Sequence, residues 1–261
     1  MNKIALITGA SSGIGKELAH IFAANQIDLI LVACSEEKLI ILADKLKLQY
    51  NIEAHYKLAD LSDIKQAEQL YRGLKAENIN IDYLVNNAGF GNYGFFPETD
   101  WKKEHQMINL NITALTYFSK VFSKDMISKG QGRILNIASM AAFQPGPLMS
   151  VYYATKAYVL FLSEALNNEL KGTGVTCTTL CPGPTDTGFV DAANLNNSKL
   201  FSNKNIPGAY EVALYGYKAM MKGKAVAVPG FMNRLMVISS SMAPRSIALK
   251  IVRKMKEEKK K

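Results

Sequence analysis

Tyr152 and Lys156 stand four residues apart in the run Val151-Tyr152-Tyr153-Ala154-Thr155-Lys156-Ala157. On a helix that spacing stacks both side chains on one face, about 6 Å apart along the axis. A phenol is a poor proton donor at neutral pH, with an ordinary pKa near ~10. An ammonium group beside it favours the phenolate and lowers that value. The pair therefore holds the parts of a tuned acid–base. An aromatic anchor and a lysine on an ordinary amphipathic helix have the same spacing, so the rest of the chain must decide between chemistry and packing.

Other reactive side chains are sparse. Cys34, Cys177 and Cys181 form no CxxC pair and no disulfide framework, which fits a reducing, cytoplasmic setting. His20, His55 and His105 are scattered, with no partner at metal-ligand spacing, so no metal site is expected. A nucleophilic-serine hydrolase is a poor fit, because the chain has no G-x-S-x-G elbow and no suitably placed histidine.

The 261 residues, 48% hydrophobic and 20% charged, suit one large α/β domain with a sizeable core. There is no uncharged apolar stretch long enough for a membrane span. The first apolar run enters a glycine-rich turn directly and reads as a strand rather than a signal peptide. The formal net charge is +9, but from Arg245 onward eight basic residues face two acidic ones. That tail carries six of the nine charges, and the body is not basic enough for a nucleic-acid surface.

Short apolar runs at Lys3–Thr8, Asp28–Ala33, Glu53–Leu58, Ile81–Asn86, Arg133–Ala138, Val175–Leu180 and Ala225–Val228 read as strands. Helical periodicity fills the gaps: Gly15–Asn25, Glu36–Tyr50, Ser62 to about Asn78, about Asp100 to Lys129, Ser150–Lys171 and Tyr210–Lys222. Ser62 is expected to cap the third helix, and Ser150 the helix that carries Tyr152. Such alternation predicts an α/β protein: a single-domain, Rossmann-type doubly wound parallel sheet with helices on both faces, spanning 1–261.

The first strand runs into Thr8-Gly9-Ala10-Ser11-Ser12-Gly13-Ile14-Gly15, and a helix follows at once. Glycines there allow a tight turn and close backbone approach to a diphosphate, and the helix N-terminus offers free N–H groups. This G-x-x-x-G-x-G spacing resembles the short-chain dehydrogenase/reductase family rather than the G-x-G-x-x-G dehydrogenases. Further motifs follow in that family's order: Asp60-Leu61, Asn86-Asn87-Ala88-Gly89, Asn111, Ser139, Tyr152-x-x-x-Lys156, Pro182-Gly183 and Thr187. The likeness extends from Lys3 to about Gly230.

The resemblance implies a nicotinamide-dependent oxidoreductase that interconverts a carbonyl and a secondary alcohol. Gly9, Ser11, Ser12, Gly13, Ile14 and Gly15 would line the diphosphate. Asp60 and Leu61 would meet the adenine, and Asn87, Ala88 and Gly89 the ribose region. Pro182, Gly183 and Thr187 would hold the carboxamide. Tyr152 would be the acid–base, and Ser139 would hold the substrate oxygen. Lys156 would lower the Tyr152 pKa and bond the nicotinamide ribose. Asn111 would order a water linking Lys156 to solvent. A homodimer or homotetramer is the family expectation. A dinucleotide-binding sensor or scaffold with little catalysis is the alternative, disfavoured because a sensor needs only the phosphate cradle.

The second strand ends Val32-Ala33-Cys34-Ser35, with no carboxylate to take the ribose hydroxyls and repel a 2′-phosphate. Ser35 could bond that phosphate, and Lys16 or Lys38 could supply charge, although the arginine common in NADP-preferring relatives is missing. NADP(H) is favoured and NAD(H) stays open. Phe189, Val190, Leu195, Leu200 and Phe201 on the segment 188–207, with Phe90, Tyr93, Phe95, Phe96 and Phe143, could wall a pocket for a lipophilic small-molecule ketone or alcohol. Beyond an apolar stretch at Phe231–Met242, residues 245–261 read as a basic amphipathic helix and tail. That helix could lie peripherally on an anionic membrane, cover a subunit interface, or be a solvated end.

Overall fold

The computed structural model describes residues 2–188, 206–242 and 245–256. One seven-stranded, wholly parallel sheet forms the centre, in the order β3-β2-β1-β4-β5-β6-β7. The strands are β1 Ile4–Thr8, β2 Asp28–Ala33, β3 Ala54–Leu58, β4 Tyr83–Asn86, β5 Gly132–Ile137, β6 Val175–Leu180 and β7 Val226–Ala227. The predicted strands are all present, displaced by at most two residues at an end. β1, β2 and β4 are buried on both faces almost throughout, which is why they read as continuous apolar runs rather than alternating ones.

The helices are α1 Gly13–Ala24, α2 Glu36–Tyr50, α3 Ile64–Ala76, α4 Trp101–Ile108, α5 Leu115–Lys129, α6 Ser150–Glu169, α7 Ala209–Met221, α8 Phe231–Met242 and α9 Arg245–Lys256. They pack on both faces of the sheet. On one face, Phe22 of α1 is fully buried and meets Tyr217 of α7 edge-on, with ring centroids 5.0 Å apart. On the other, Leu70 and Leu74 of α3 join Phe118, Phe122 and Met126 of α5 over Leu6, Leu84 and Ile134. Burying a side chain such as Phe22 stabilises by roughly 2–3 kcal/mol, and its truncation to alanine costs about 3–5. Among the described residues, no helix is long and apolar enough to cross a membrane.

Two expected caps differ. Asp63, not Ser62, caps α3 by accepting from the Lys65 N–H at 3.0 Å, while Ser62 donates its N–H and hydroxyl to the Asp60 carboxylate. Carboxylates and hydroxyls both cap well, and the Asp60 turn claims Ser62 first. Met149 holds the N-cap position of α6, and Ser150 is its first helical residue. Asp100 caps α4 by accepting from the Lys102 N–H at 3.0 Å. The single long helix expected from Asp100 to Lys129 is interrupted by a π-helical turn at Asn109–Ala114.

The chain fills the sheet from β1 outward to β3, then returns to β4 on the other side of β1. The switch point therefore lies between β1 and β4, where ligands bind in open parallel sheets. The carboxyl ends of these two strands are Thr8-Gly9 and Asn86-Asn87.

Candidate active site

Thr8 clasps the two strand ends together. Its hydroxyl donates to the Val85 carbonyl and accepts from the N–H groups of Asn87 and Ala88, both at 3.0 Å. The Asn87 side-chain amide donates back to the carbonyls of Thr8 and Gly9, each at 3.0 Å. Gly9 turns with φ +63°, and a Cβ on Gly15 would collide with the Gly9 carbonyl and the Asn87 amide. The helix must therefore start hard against the strand end. α1 begins at Gly13, and Ser12 at its N-cap makes no side-chain capping bond. The first-turn N–H groups have no intrahelical acceptor, which makes this turn a natural anion cradle. Across it stands Thr187, 3.1 Å from where a Cβ on Gly13 would lie. This fits a dinucleotide diphosphate: backbone donors at a switch point, with glycine where a side chain would fill the space.

At the adenosine end, Cys34 donates to the Ala59 carbonyl at 3.4 Å, and partial burial plus the Asp60 carboxylate push its thiol up. Ser35 is the N-cap of α2 with no capping bond of its own, and Glu36 and Glu37 occupy the first helical turn. Asp60 is exposed and Leu61 buried in the core beneath it.

The reacting end lies on β5, the turn after it, and α6. Ser139 caps a short 3-10 turn, Met140–Phe143, by accepting from the Ala141 N–H at 3.1 Å, and it hydrogen-bonds the Tyr152 phenol. Met140 N–H donates to the Pro182 carbonyl at 2.9 Å, joining this turn to the segment beyond β6. Lys156 is buried one turn along α6, its Nζ donating to the Ile137 carbonyl at 2.8 Å and lying 5.8 Å from the Tyr152 ring centroid. Asn111 projects from the π-helical turn. Its amide donates to the Phe90 carbonyl and the Thr155 hydroxyl, and its carbonyl accepts from the Phe90 N–H. A Cβ on Gly89 would come within 2.8 Å of Asn111 Oδ1 and 3.6 Å of Lys156 Nζ. Gly89, Asn111, Ser139, Tyr152 and Lys156 thus converge, from four separate parts of the chain.

The electrostatics differ from expectation in one respect. Burial pushes the Tyr152 phenol up to about 12, with the Ser139 hydrogen bond opposing it, so the phenol sits above its ordinary value rather than below it. Burial also pulls Lys156 down to about 8, opposed by nearby Cys181. At neutral pH both groups hold their protons, so the phenol stands as a donor beside an ammonium group.

A family model described as short chain dehydrogenase matches residues 3–198. The chain belongs to this family. As a short-chain dehydrogenase it is an NAD(P)-dependent oxidoreductase with the Rossmann-type fold its sequence predicts. It is 31% identical over 230 residues to "Hydroxysteroid dehydrogenase-like protein 1" of Gallus gallus, covering 87% of this chain and 67% of that protein. It is 33% identical over 186 residues to "Very-long-chain 3-oxoacyl-CoA reductase" of Anas platyrhynchos, covering 68% of this chain and 58% of that one. A solved short-chain dehydrogenase from Sphingobium yanoikuyae in complex with NADPH superposes with a TM-score of 0.83 at 31% identity, covering 92% and 93% of the two chains.

Some site residues of this short-chain dehydrogenase left no clear signal in its sequence. Thr8 and Thr155 look like ordinary polar residues until their hydroxyls are seen to orient Asn87 and Asn111. Asn233 of α8 sits against Gly183, 2.9 Å from where a Cβ would lie. Val252 of α9 is only 3% exposed and packs in one cluster with Tyr152, Tyr153, Met107, Ala141 and Met149. The basic helix is therefore not simply a solvated end. Of the proposed pocket aromatics, Phe90 and Tyr93 join that cluster, and Phe143 packs beside Ala142 and Val159. Phe95 and Phe96 face outward. Phe189, Val190, Leu195, Leu200 and Phe201 lie outside the described residues. Tyr153 packs over Gly146, a structural role. Among the described residues, no group of three or more His, Cys, Asp or Glu could hold a metal.

Proposed function

We propose that the protein reduces a lipophilic ketone to a secondary alcohol with NADPH, Tyr152 acting as the general acid. The observation that carries this reading is the protonated Tyr152 phenol, hydrogen-bonded to Ser139 and one helical turn from the buried Lys156 ammonium. A bound nicotinamide supplies the hydride. Ser139 holds the carbonyl oxygen on which negative charge builds, and Tyr152 gives that oxygen its proton. The Lys156 cation offsets the phenolate left behind, and Asn111 fixes the backbone at Phe90 beside it. Partial support for NADP(H) comes from Cys34 and Ser35, where an NAD-selective site would carry a carboxylate. The aromatic and apolar cluster around Tyr152 suits a lipophilic substrate, as do the printed names of the steroid- and acyl-type relatives. A homodimer through α6 is part of this reading: Ala154, Tyr158, Phe161 and Ala165 form an exposed stripe along it, with Phe161 67% exposed.

The test is Tyr152→Phe against a panel of cyclic, steroid and acyl ketones. The variant should bind NADPH as the wild type does and lose turnover by about 10²–10⁴-fold. Wild-type protein that binds NADPH but turns over no ketone or alcohol in the panel would favour the sensor reading instead.

A further inference from the structure

We infer that α8 and α9 together form a docking face for the surface of an anionic lipid bilayer. α8 is amphipathic in the opposite sense to a core-packing helix. Phe231, Leu235 and Ile238, at i, i+4 and i+7, share one face, and that face points outward. Phe231 is 73% exposed and Ile238 57%, with Met232 and Met236 exposed alongside. The opposite side is held to the fold by half-buried Asn233, which donates to the Pro229 carbonyl at 2.7 Å, while exposed Arg234 flanks the apolar face and donates to the Val228 carbonyl and the Tyr215 hydroxyl. α9 adds the cations. Lys250 and Lys254 are exposed one turn apart, and exposed Ile251 lies one turn from Lys254.

Both helices rest on the same part of the fold. α8 packs on the Met140–Phe143 turn, and Val252 of α9 is buried in the one cluster that holds Ala141 of that turn and Tyr152. An apolar helix face beside a cationic helix is the composition of an interfacial, non-spanning membrane contact. Charge decides the occupant. On this face Lys250, Arg253 and Lys254 are exposed and α9 contains no acidic residue, so a second copy seated symmetrically here would bring like charges together. An anionic lipid surface instead attracts each exposed Lys or Arg. Docking here would put lipid beside the mouth of the Tyr152 site. Delivery of a lipophilic ketone from the bilayer rests on the function proposed above, whereas docking itself does not.

The full chain is sedimented with vesicles of phosphatidylcholine alone or mixed with phosphatidylglycerol, at low and high salt. It should bind the mixed vesicles, release in part with salt, and bind pure phosphatidylcholine weakly. Lys250→Glu/Lys254→Glu should weaken binding at least about tenfold. Phe231→Ser/Leu235→Ser/Ile238→Ser should do likewise, with circular dichroism unchanged in both variants. No binding, equal binding to both lipids, or binding unaffected by either variant overturns the proposal. So does a fall in lipid-free oligomer mass in the serine variant, which would assign the face to a second copy. Ketone turnover in solution is read in parallel: vesicle binding without turnover defeats only the oxidoreductase reading, and turnover without binding defeats only this one.

Discussion

Lys156→Met should remove a pH dependence of stability that the wild type carries at its active site. The Lys156 amine is buried, and burial holds it at about 8 against an ordinary 10.5. Because its pKa is depressed, the folded state releases this proton before the unfolded state does. The penalty is complete below the folded value and is relieved as pH rises toward 10.5. The whole interval corresponds to about 3 kcal/mol. Between about pH 7 and about pH 9 the wild type should regain roughly 1.4 kcal/mol from this group, and the variant nothing. Cys177, Cys181 and Tyr152 act in the opposite direction, since burial raises each to about 12 and the unfolded chain ionises first. Their effect begins near pH 9 and is largely common to both proteins. At neutral pH the variant also loses the bond to the Ile137 carbonyl, which costs about 1–3 kcal/mol and offsets the relieved burial of charge. The readout is therefore the difference in pH slope, taken from urea unfolding of cofactor-free protein at both pH values. Parallel changes in the two proteins, or a wild type that loses stability relative to the variant, would refute this account of Lys156.

Gly15→Ala drives a methyl group into the Gly9 carbonyl and the Asn87 amide, so NADPH affinity measured by fluorescence titration should fall at least about tenfold and stability by about 1–3 kcal/mol. Cys34→Asp places a carboxylate where a 2′-phosphate would approach; the ratio of kcat/KM for NADPH over NADH should drop by about tenfold or more. An unchanged ratio would locate phosphate recognition elsewhere. If the homodimer proposed through α6 forms, Phe161→Glu puts a charge into its apolar stripe, and sedimentation velocity should show that dimer replaced by monomer, with folding unaffected.

The strands were legible because parallel strands buried on both faces must be apolar throughout: Leu29–Ala33 and Tyr83–Val85 admit no polar alternation. The glycine turn was legible because backbone geometry excludes other residues, as φ at Gly9 and the missing space at Gly15 make plain. The site's electrostatics were less so. The spacing of Tyr152 and Lys156 places them on one helix face but carries no information about burial, and burial sets both pKa values. Nor does the Lys156 spacing reveal the Ile137 carbonyl that accepts its hydrogen bond, nineteen positions earlier in the chain. Val252 was hidden for a related reason. The pattern of α9 identifies an apolar face, yet which structure that face meets depends on the path of the chain after α8.

The π-helical turn at Asn109–Ala114 ties together two things that single substitutions would treat separately. A π turn takes one more residue than an α turn, which resets the phase of everything after it by roughly 100°. Asn111 reaches Phe90 and Thr155 from within that turn, and Phe118, Phe122 and Met126 reach the core from the phase it establishes. Deleting one residue there would rotate α5 against its own packing as well as withdraw Asn111. A chain drifting by insertions and deletions therefore has no neutral step at this place: the helical phase that serves the chemistry also closes the core.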